Sequence, residues 1–313
     1  RHFLNFRPQR LIFTSVEADH LDYFRDLQDV QEAFVQYARL LPPGGTLIFA
    51  QDEPGARAVA ARAGAERPDL RLLPYGEQAP GPFGITEVRS ADGRTSFRLR
   101  GLPGEFGLPL PGRHMAWNAA AALALTGELL SREGRGFGPA ELDSAREALA
   151  GFRGTRRRSE VVGEAGGVLF LDDYGHHPTE IRATLAGLAQ AFPGRRLVVA
   201  FQPHRYSRTR ALLPEFFPVF HQAQMVFITE IYGAGEPRPN GLSGRAVYEG
   251  VCGAGHSGVH FIEEEAAKAD YILNHLNAGD LVLTLGAGDI WKTGEELLAR
   301  LQPQTAAGKA RRA

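Results

Sequence analysis

The chain is poor in several residue types. Of its 313 residues one is Cys, two are Met and three are Lys (Lys268, Lys292 and Lys309). The lone Cys252 rules out an internal disulfide and a CxxC metal site. No run of about 18 apolar residues occurs, so no membrane span is expected. The opening RHFLNFRPQR lacks the long apolar stretch of a signal peptide. Excess charge is missing as well. Lys and Arg number 35 against 36 Asp and Glu, a net charge of −1, which leaves no electrostatic footprint for nucleic acid. Neither GxxxxGKS nor GxxxxGKT is present, so these residues contain no Walker-type phosphate loop. Because nearly every cation is Arg, an anion site here must be built from guanidinium forks.

What is present fits two globular domains. Apolar residues make up 43% and charged residues 23%, and the length suits two cores. Residue 1 is Arg, and a fragment of a longer chain is expected. Short apolar runs alternate with helical stretches. Leu11–Val16 and Thr46–Ala50 read as buried strands, with helices following each, the first reaching from about Glu17 to Leu41. Residues 85–100 alternate around Ala91-Asp92-Gly93, the pattern of a β-hairpin. Pro111-Gly112-Arg113 opens an Ala-rich helix over 114–130. The Gly- and Arg-rich stretch GFRGTRRRSE marks a boundary, giving domains 1–151 and 152–313. Beyond it, apolar runs at 168–171, 197–201, 225–231, 259–262 and 281–285 alternate with helices near 179–191, 207–222, 242–251, 263–276 and 290–301. This rhythm predicts a doubly wound parallel sheet.

Polar residues follow the strands. DDYGHHPTE follows LFL, PHRYSRTR follows VVAFQ, EIYGAGE follows VFIT, and GAGDI follows LVLTL. Ligands of open α/β sheets bind at the carboxyl ends of strands, so four strand ends are expected to present Asp, His, Arg, Glu and Gly to one rim. Arg205 and Arg208 are three apart at a helix start, and the spacing predicts one shared face suited to a carboxylate or phosphate. The bland alternative is a solvated helix start. In DDYGHHPTE, five of six consecutive positions are ionisable, more than a helix cap requires. Glu17, Asp19 and His20 could hold Mg²⁺ or Mn²⁺, but on spacing alone a helix cap at Asp19 with surface acids is the better reading. GAGDI is no dinucleotide fingerprint, because Trp291 stands where a third Gly belongs. A tight turn open to a ligand is expected there instead. Arg153, Arg156, Arg157 and Arg158 are candidates for a nucleotide phosphate.

The stretches VEADHLDYF, GRHMAWNAAAALA, FRGTRRRSEVVGE, DDYGHHPTEI, FQPHRYSRTR and GAGDI, taken in order, resemble the amide-forming Mur ligases of peptidoglycan synthesis. The resemblance implies the later part of a central ATPase domain, followed by a Rossmann-like ligase domain. The phosphate loop and a UDP-binding domain would lie upstream. It implies an ATP-dependent bacterial cytoplasmic enzyme, using Mg²⁺ or Mn²⁺, that joins L-alanine to UDP-N-acetylmuramate through an acyl phosphate. His20 matches a metal-binding His. His114 and Asn118 match residues on the adenine side, although Met115 stands where the family has Asn. Arg158 and Asp173 match ATP contacts, although Ser159 replaces an aromatic. Tyr174, His176, Arg205 and Arg208 match the substrate and acyl-phosphate site, with His176 and the two arginines as its catalytic groups. The fragment alone is expected to release no phosphate from ATP above an Arg205→Ala control. Two rivals stand beside this reading. One is a metal-dependent phosphohydrolase using His20, Asp172, Asp173, His176 and His177. The other is a non-catalytic module that binds a nucleotide sugar or amino acid.

Overall fold

The computed structural model describes residues 1–21 and 23–302. The chain divides into two compact units, Arg1–Arg153 and Gly154 onward. Unit 1 opens with a parallel sheet of β1 (Arg10–Phe13), β2 (Thr46–Ala50) and β3 (Arg71–Tyr75), in that order. Helices α1 (Leu27–Arg39) and α2 (Pro54–Glu66) connect them. The antiparallel β4 (Ile85–Ala91), β5 (Arg94–Leu99) and β6 (Leu102–Leu108) follow, then α3 (Arg113–Arg132) and α4 (Pro139–Gly151). The hairpin expected at Ala91-Asp92-Gly93 is the β4–β5 turn, with Asp92 and Gly93 both at positive φ.

The segment after β1 differs from expectation. β1 ends at Phe13 and α1 begins only at Leu27, where the Asp26 side chain accepts the Asp29 N–H. Residues 17–21 and 23–26 are therefore loop, and His20 sits there at φ 53°. Helix α3 is anchored by one buried carboxylate. Glu128 accepts from Thr46 at 2.8 Å and from Arg132 at 2.9 Å, and pairs with Arg71 at 2.8 Å. The side chain thus ties α3 to β2 and β3.

Unit 2 contains β7 (Glu160–Ala165), β8 (Val168–Asp173), α5 (Pro178–Ala191), β9 (Arg196–Phe201), α6 (Tyr206–Ala211) and α7 (Leu213–Phe216). It continues with β10 (Met225–Ile228), α8 (Gly244–Gly253), β11 (Val259–Phe261), α9 (Lys268–Leu273), β12 (Asp280–Leu285) and α10 (Trp291–Leu301). The sheet order is β11-β10-β9-β12-β8-β7. All neighbours are parallel except the edge strand β7, which runs antiparallel to β8. Successive strand residues serve opposite faces. Leu171, Val199, Phe201 and Leu283 pack with Ile181, Leu185, Phe216 and Val247 on one side. Phe170, Val198, Ala200 and Val282 pack with Ile272, Ile290 and Leu297 on the other. Burial on both faces is why these strands read as unbroken apolar runs.

The helix expected over 207–222 is two short pieces, because Pro214 stands in the first turn of α7 and removes a donor from any continuous helix. The stretch expected as a helix over 263–276 shrinks to a 3₁₀ turn and α9. No helix among the described residues is long and apolar enough to cross a membrane.

Candidate functional site

Strand β12 returns between β8 and β9, so the chain reverses direction across the sheet at this point. Leu285 pairs with Phe201 on one side and Asp173 on the other. The strand ends are fastened to each other. Gly286 N–H donates to the Asp173 carbonyl at 3.0 Å, and Gln202 N–H to the Leu285 carbonyl at 3.0 Å. The GAGD turn folds over Gln202, whose Oε1 accepts from Asp289 N–H at 3.0 Å. A Cβ on Gly288 would lie 2.2 Å from that Oε1, and one on Gly286, at φ 144°, would lie 2.6 Å from the Gln202 carbonyl. Strand-end packing against Gln202 therefore requires glycine at both positions of this tight turn.

The two aspartates divide their work. Asp172 is buried, accepts from Thr284 at 2.6 Å and pairs with Arg157 Nε at 2.8 Å. The same guanidinium donates to the carbonyls of Gly288 (3.1 Å) and Gly286 (2.6 Å). Asp173, also buried, accepts from Ser159 N–H (2.8 Å), Ser159 O–H (3.1 Å) and Gly175 N–H (2.7 Å). Burial pushes its carboxyl up despite those donors. His177 caps α5, accepting from Thr179 N–H at 3.3 Å. Glu180 accepts from the backbone N–H groups of His176 (3.0 Å) and His177 (3.3 Å), closing a capping box. Capping thus explains His177. Its neighbour His176 lies on the rim.

The rim is a chain of rings and cations. Arg157 and Arg158 lie over the Tyr174 ring, with guanidinium carbons 5.1 and 5.5 Å from its centroid. Arg158 also pairs with Glu180 at 3.7 Å. The Tyr174 and His176 rings are 5.5 Å apart, and His176 and His204 are 6.1 Å apart. His204 stacks parallel on Tyr232, with centroids 5.7 Å apart. Arg208 is buried and bonds to His204 Nδ1 at 3.2 Å. Arginine can only donate, so Nδ1 accepts, and the neutral imidazole carries its proton on Nε2.

Arg205 does not share a helical face with Arg208 as its spacing predicts. It precedes α6 with φ 66°, and its guanidinium turns to Glu236 at 3.7 Å. A non-glycine residue held in that region marks a backbone set by its surroundings, here by Arg205 N–H donating to the Tyr232 carbonyl at 2.8 Å.

His204 adds a pH dependence. Its ordinary value of 6.5 is lowered to about 4, first by burial, then by Arg208, His176 and Arg205, against a smaller opposing pull from Glu236. As pH falls, the unfolded chain takes up the proton first, so stability is complete above pH 6.5 and declines towards pH 4. The loss should reach about 2 kcal/mol at the acid end, after allowance for partial exposure. His204→Gln should flatten this part of a melting-temperature profile. An unchanged slope in that variant would refute the assignment.

The remaining candidates lie in unit 1. His114 and Asn118 are four apart on α3, the first half-buried and the second exposed. Beside them Glu77 is bidentate to Arg113 and accepts from Trp117 Nε1 at 3.1 Å. His20 is exposed, with its Nε2 3.7 Å from Asp19 Oδ2. Among the described residues no group of three His, Cys, Asp or Glu side chains is gathered to hold a metal. His20 and Asp19 alone do not make a metal centre. The five residues of the phosphohydrolase rival form no ligand set either, since Asp172 and Asp173 are committed to Arg157, Thr284, Ser159 and Gly175. Sequence reasoning missed Ser159, Tyr232 and Glu236. The positive-φ pair Ala234-Gly235 is not evident from composition, although Gly-x-Gly before Glu236 is a faint signal of a turn.

Unit 2 is thus a Rossmann-like sheet whose reversal point carries a rim of arginines and histidines. Family comparison agrees. Residues 2–126 match the Mur ligase middle domain, and residues 157–288 match the Mur ligase glutamate ligase domain. The chain belongs to the Mur ligase family. Its relatives include the UDP-N-acetylmuramate--L-alanine ligases of Treponema pallidum, 44% identical over 298 residues, and Myxococcus xanthus, 40% over 304. These alignments cover 95% and 96% of this chain, and 62% and 61% of the relatives' own lengths. The crystal structure of a UDP-N-acetylmuramate-alanine ligase from Thermotoga maritima has the same fold, with a TM-score of 0.70 at 23% identity over 95% of this chain and 60% of that one. A Thermotoga maritima MurF ligase solved with ADP superposes at a TM-score of 0.69, with 17% identity over 94% of this chain and 63% of that one.

Proposed function

We propose that this chain is the acceptor-side part of a bacterial cytoplasmic ligase that joins L-alanine to UDP-N-acetylmuramate at the expense of ATP. The observation that carries this is the rim of Tyr174, His176, His204, Arg205 and Arg208, in a chain 44% identical to a ligase of that name. The lactyl carboxylate attacks the γ-phosphorus of ATP, and ADP leaves. The amine of L-alanine then attacks the acyl carbon of the acyl phosphate, phosphate departs with the bonding pair, and the amine loses a proton. Arg205 and Arg208 supply the positive field for the acceptor carboxylate and so fix where its amine points. The Nε2–H of His204 adds a neutral donor, and His176 lies beside it to receive a developing oxyanion. Arg158 serves the ATP side in this scheme, and Asp173 acts there only through the Ser159 and Gly175 backbone it fixes; His114 and Asn118 are assigned to the adenine. His20 contributes one ligand of a magnesium or manganese ion, whose other ligands would come from outside the described residues.

The test is phosphate release by the full-length gene product. Release should require UDP-N-acetylmuramate, ATP and L-alanine together. Release without L-alanine, or none with all three present, would overturn the proposal. The second outcome, with L-alanine binding retained, would favour a non-catalytic module.

A further inference from the structure

The loop after β10 returns to the start of α6 through an unusual path. Ala234 (φ 49°) and Gly235 (φ 86°) both adopt left-handed backbone. Gly233 is pressed against Tyr206, where a Cβ would lie 2.8 Å from the ring. The result brings Glu236 onto Ser207. Its carboxylate accepts Ser207 N–H at 2.9 Å and Ser207 O–H at 2.6 Å. Arg205 Nη1 lies 3.7 Å from Glu236 Oε1. That separation exceeds a direct hydrogen bond, so this contact acts on the guanidinium by charge. Burial raises the Glu236 pKa, but the Ser207 donors and the Arg205 charge outweigh it and hold the group below the usual carboxylate range.

We propose that Glu236 is the positioning residue for Arg205 and, through it, sets the affinity for the carboxylate of the amino-acid acceptor. This rests on the ligase reading above. An Arg side chain free to sample its rotamers must be ordered when the acceptor binds, and Glu236 removes that cost in advance. Ser207 in turn fixes Glu236, so the ordering is built into α6 and the β10 loop together.

The experiment is steady-state kinetics on the full-length protein with Glu236→Gln, which keeps size and loses charge. The KM for L-alanine should rise about tenfold while kcat changes by less than about threefold. The KM values for ATP and UDP-N-acetylmuramate should stay unchanged. Ser207→Ala, which removes one donor and leaves the charge, should raise the L-alanine KM by a smaller factor, about threefold. An unchanged L-alanine KM in Glu236→Gln at unchanged melting temperature overturns the assignment. An equal rise in all three KM values does so too, since that is general damage. Where Glu236→Gln does not fold, an unchanged L-alanine KM in Ser207→Ala overturns it. Absence of L-alanine-dependent release in the unmodified protein defeats the ligase reading itself, and the assignment falls with it.

Discussion

Arg208→Ala should lower kcat/KM for L-alanine by at least about a hundredfold. The size follows from where the group sits. Arg208 is buried, and its guanidinium bonds to the Nδ1 of His204. On the proposed ligase reading, truncation removes a charge assigned to the acceptor carboxylate, and it also removes the donor that fixes the His204 tautomer. With Nδ1 released, the imidazole proton is no longer confined to Nε2. Two interactions that this reading assigns to the reacting groups would therefore be lost together, and their losses are not independent. Arg208→Lys keeps the charge but not the planar fork, so it should recover only part of the activity. A loss below about threefold for Arg208→Ala, with the melting temperature preserved, would remove Arg208 from the site.

Asp172→Ala should be strongly destabilising for unit 2, at about 3 kcal/mol, or roughly 10 °C in melting temperature. The carboxylate is buried and holds Arg157, which also donates to the Gly286 and Gly288 carbonyls. Without Asp172, a mostly buried guanidinium has lost its counter-charge, and Thr284 has lost its acceptor. Asp172→Asn keeps one oxygen acceptor, enough for Arg157 or Thr284 but not both, and loses the counter-charge, so it should cost less than the alanine variant but remain clearly destabilising. Calorimetric melting checks both. A loss under about 1 kcal/mol for the alanine variant would mean that the Arg157 fork does not tie the GAGD turn to the sheet.

The parts of this fold legible from sequence are those set by burial. β8, β9 and β12 are apolar on both faces and stand out as runs, and the polar residues at their ends are brought to one rim. Other parts depend on tertiary contacts. β3 contains Pro74, which argues against a strand by composition, but the segment still pairs with β2. β7 carries Glu, Gly and Val in no clear alternation, and it becomes a strand by adding to the free side of β8. Of the candidate residues, Tyr174, His176, Arg205 and Arg208 are assembled at the rim, whereas His20, His114 and Asn118 belong to unit 1. Spacing suggested that Arg205 and Arg208 act as a pair. It could not reveal that Arg205 is itself left-handed and stands before the helix that carries Arg208, or that the two arginines face different neighbours, Glu236 and His204. Two residues with similar sequence signals also diverge: His176 reaches the rim, while His177 is used by the helix start.

The two borders of the unit 2 sheet have a consequence for the molecule in a crowded cell. Open sheets invite other chains to add strands along their unpaired backbone. Here one border, β11, is only three residues long. The other, β7, runs against the direction of the rest and slips register between Val161 and Gly163. Neither offers a straight template of any length. The sheet that holds the rim in place is thereby shielded from runaway self-association by the shape of its margins, without a large net charge to keep copies apart.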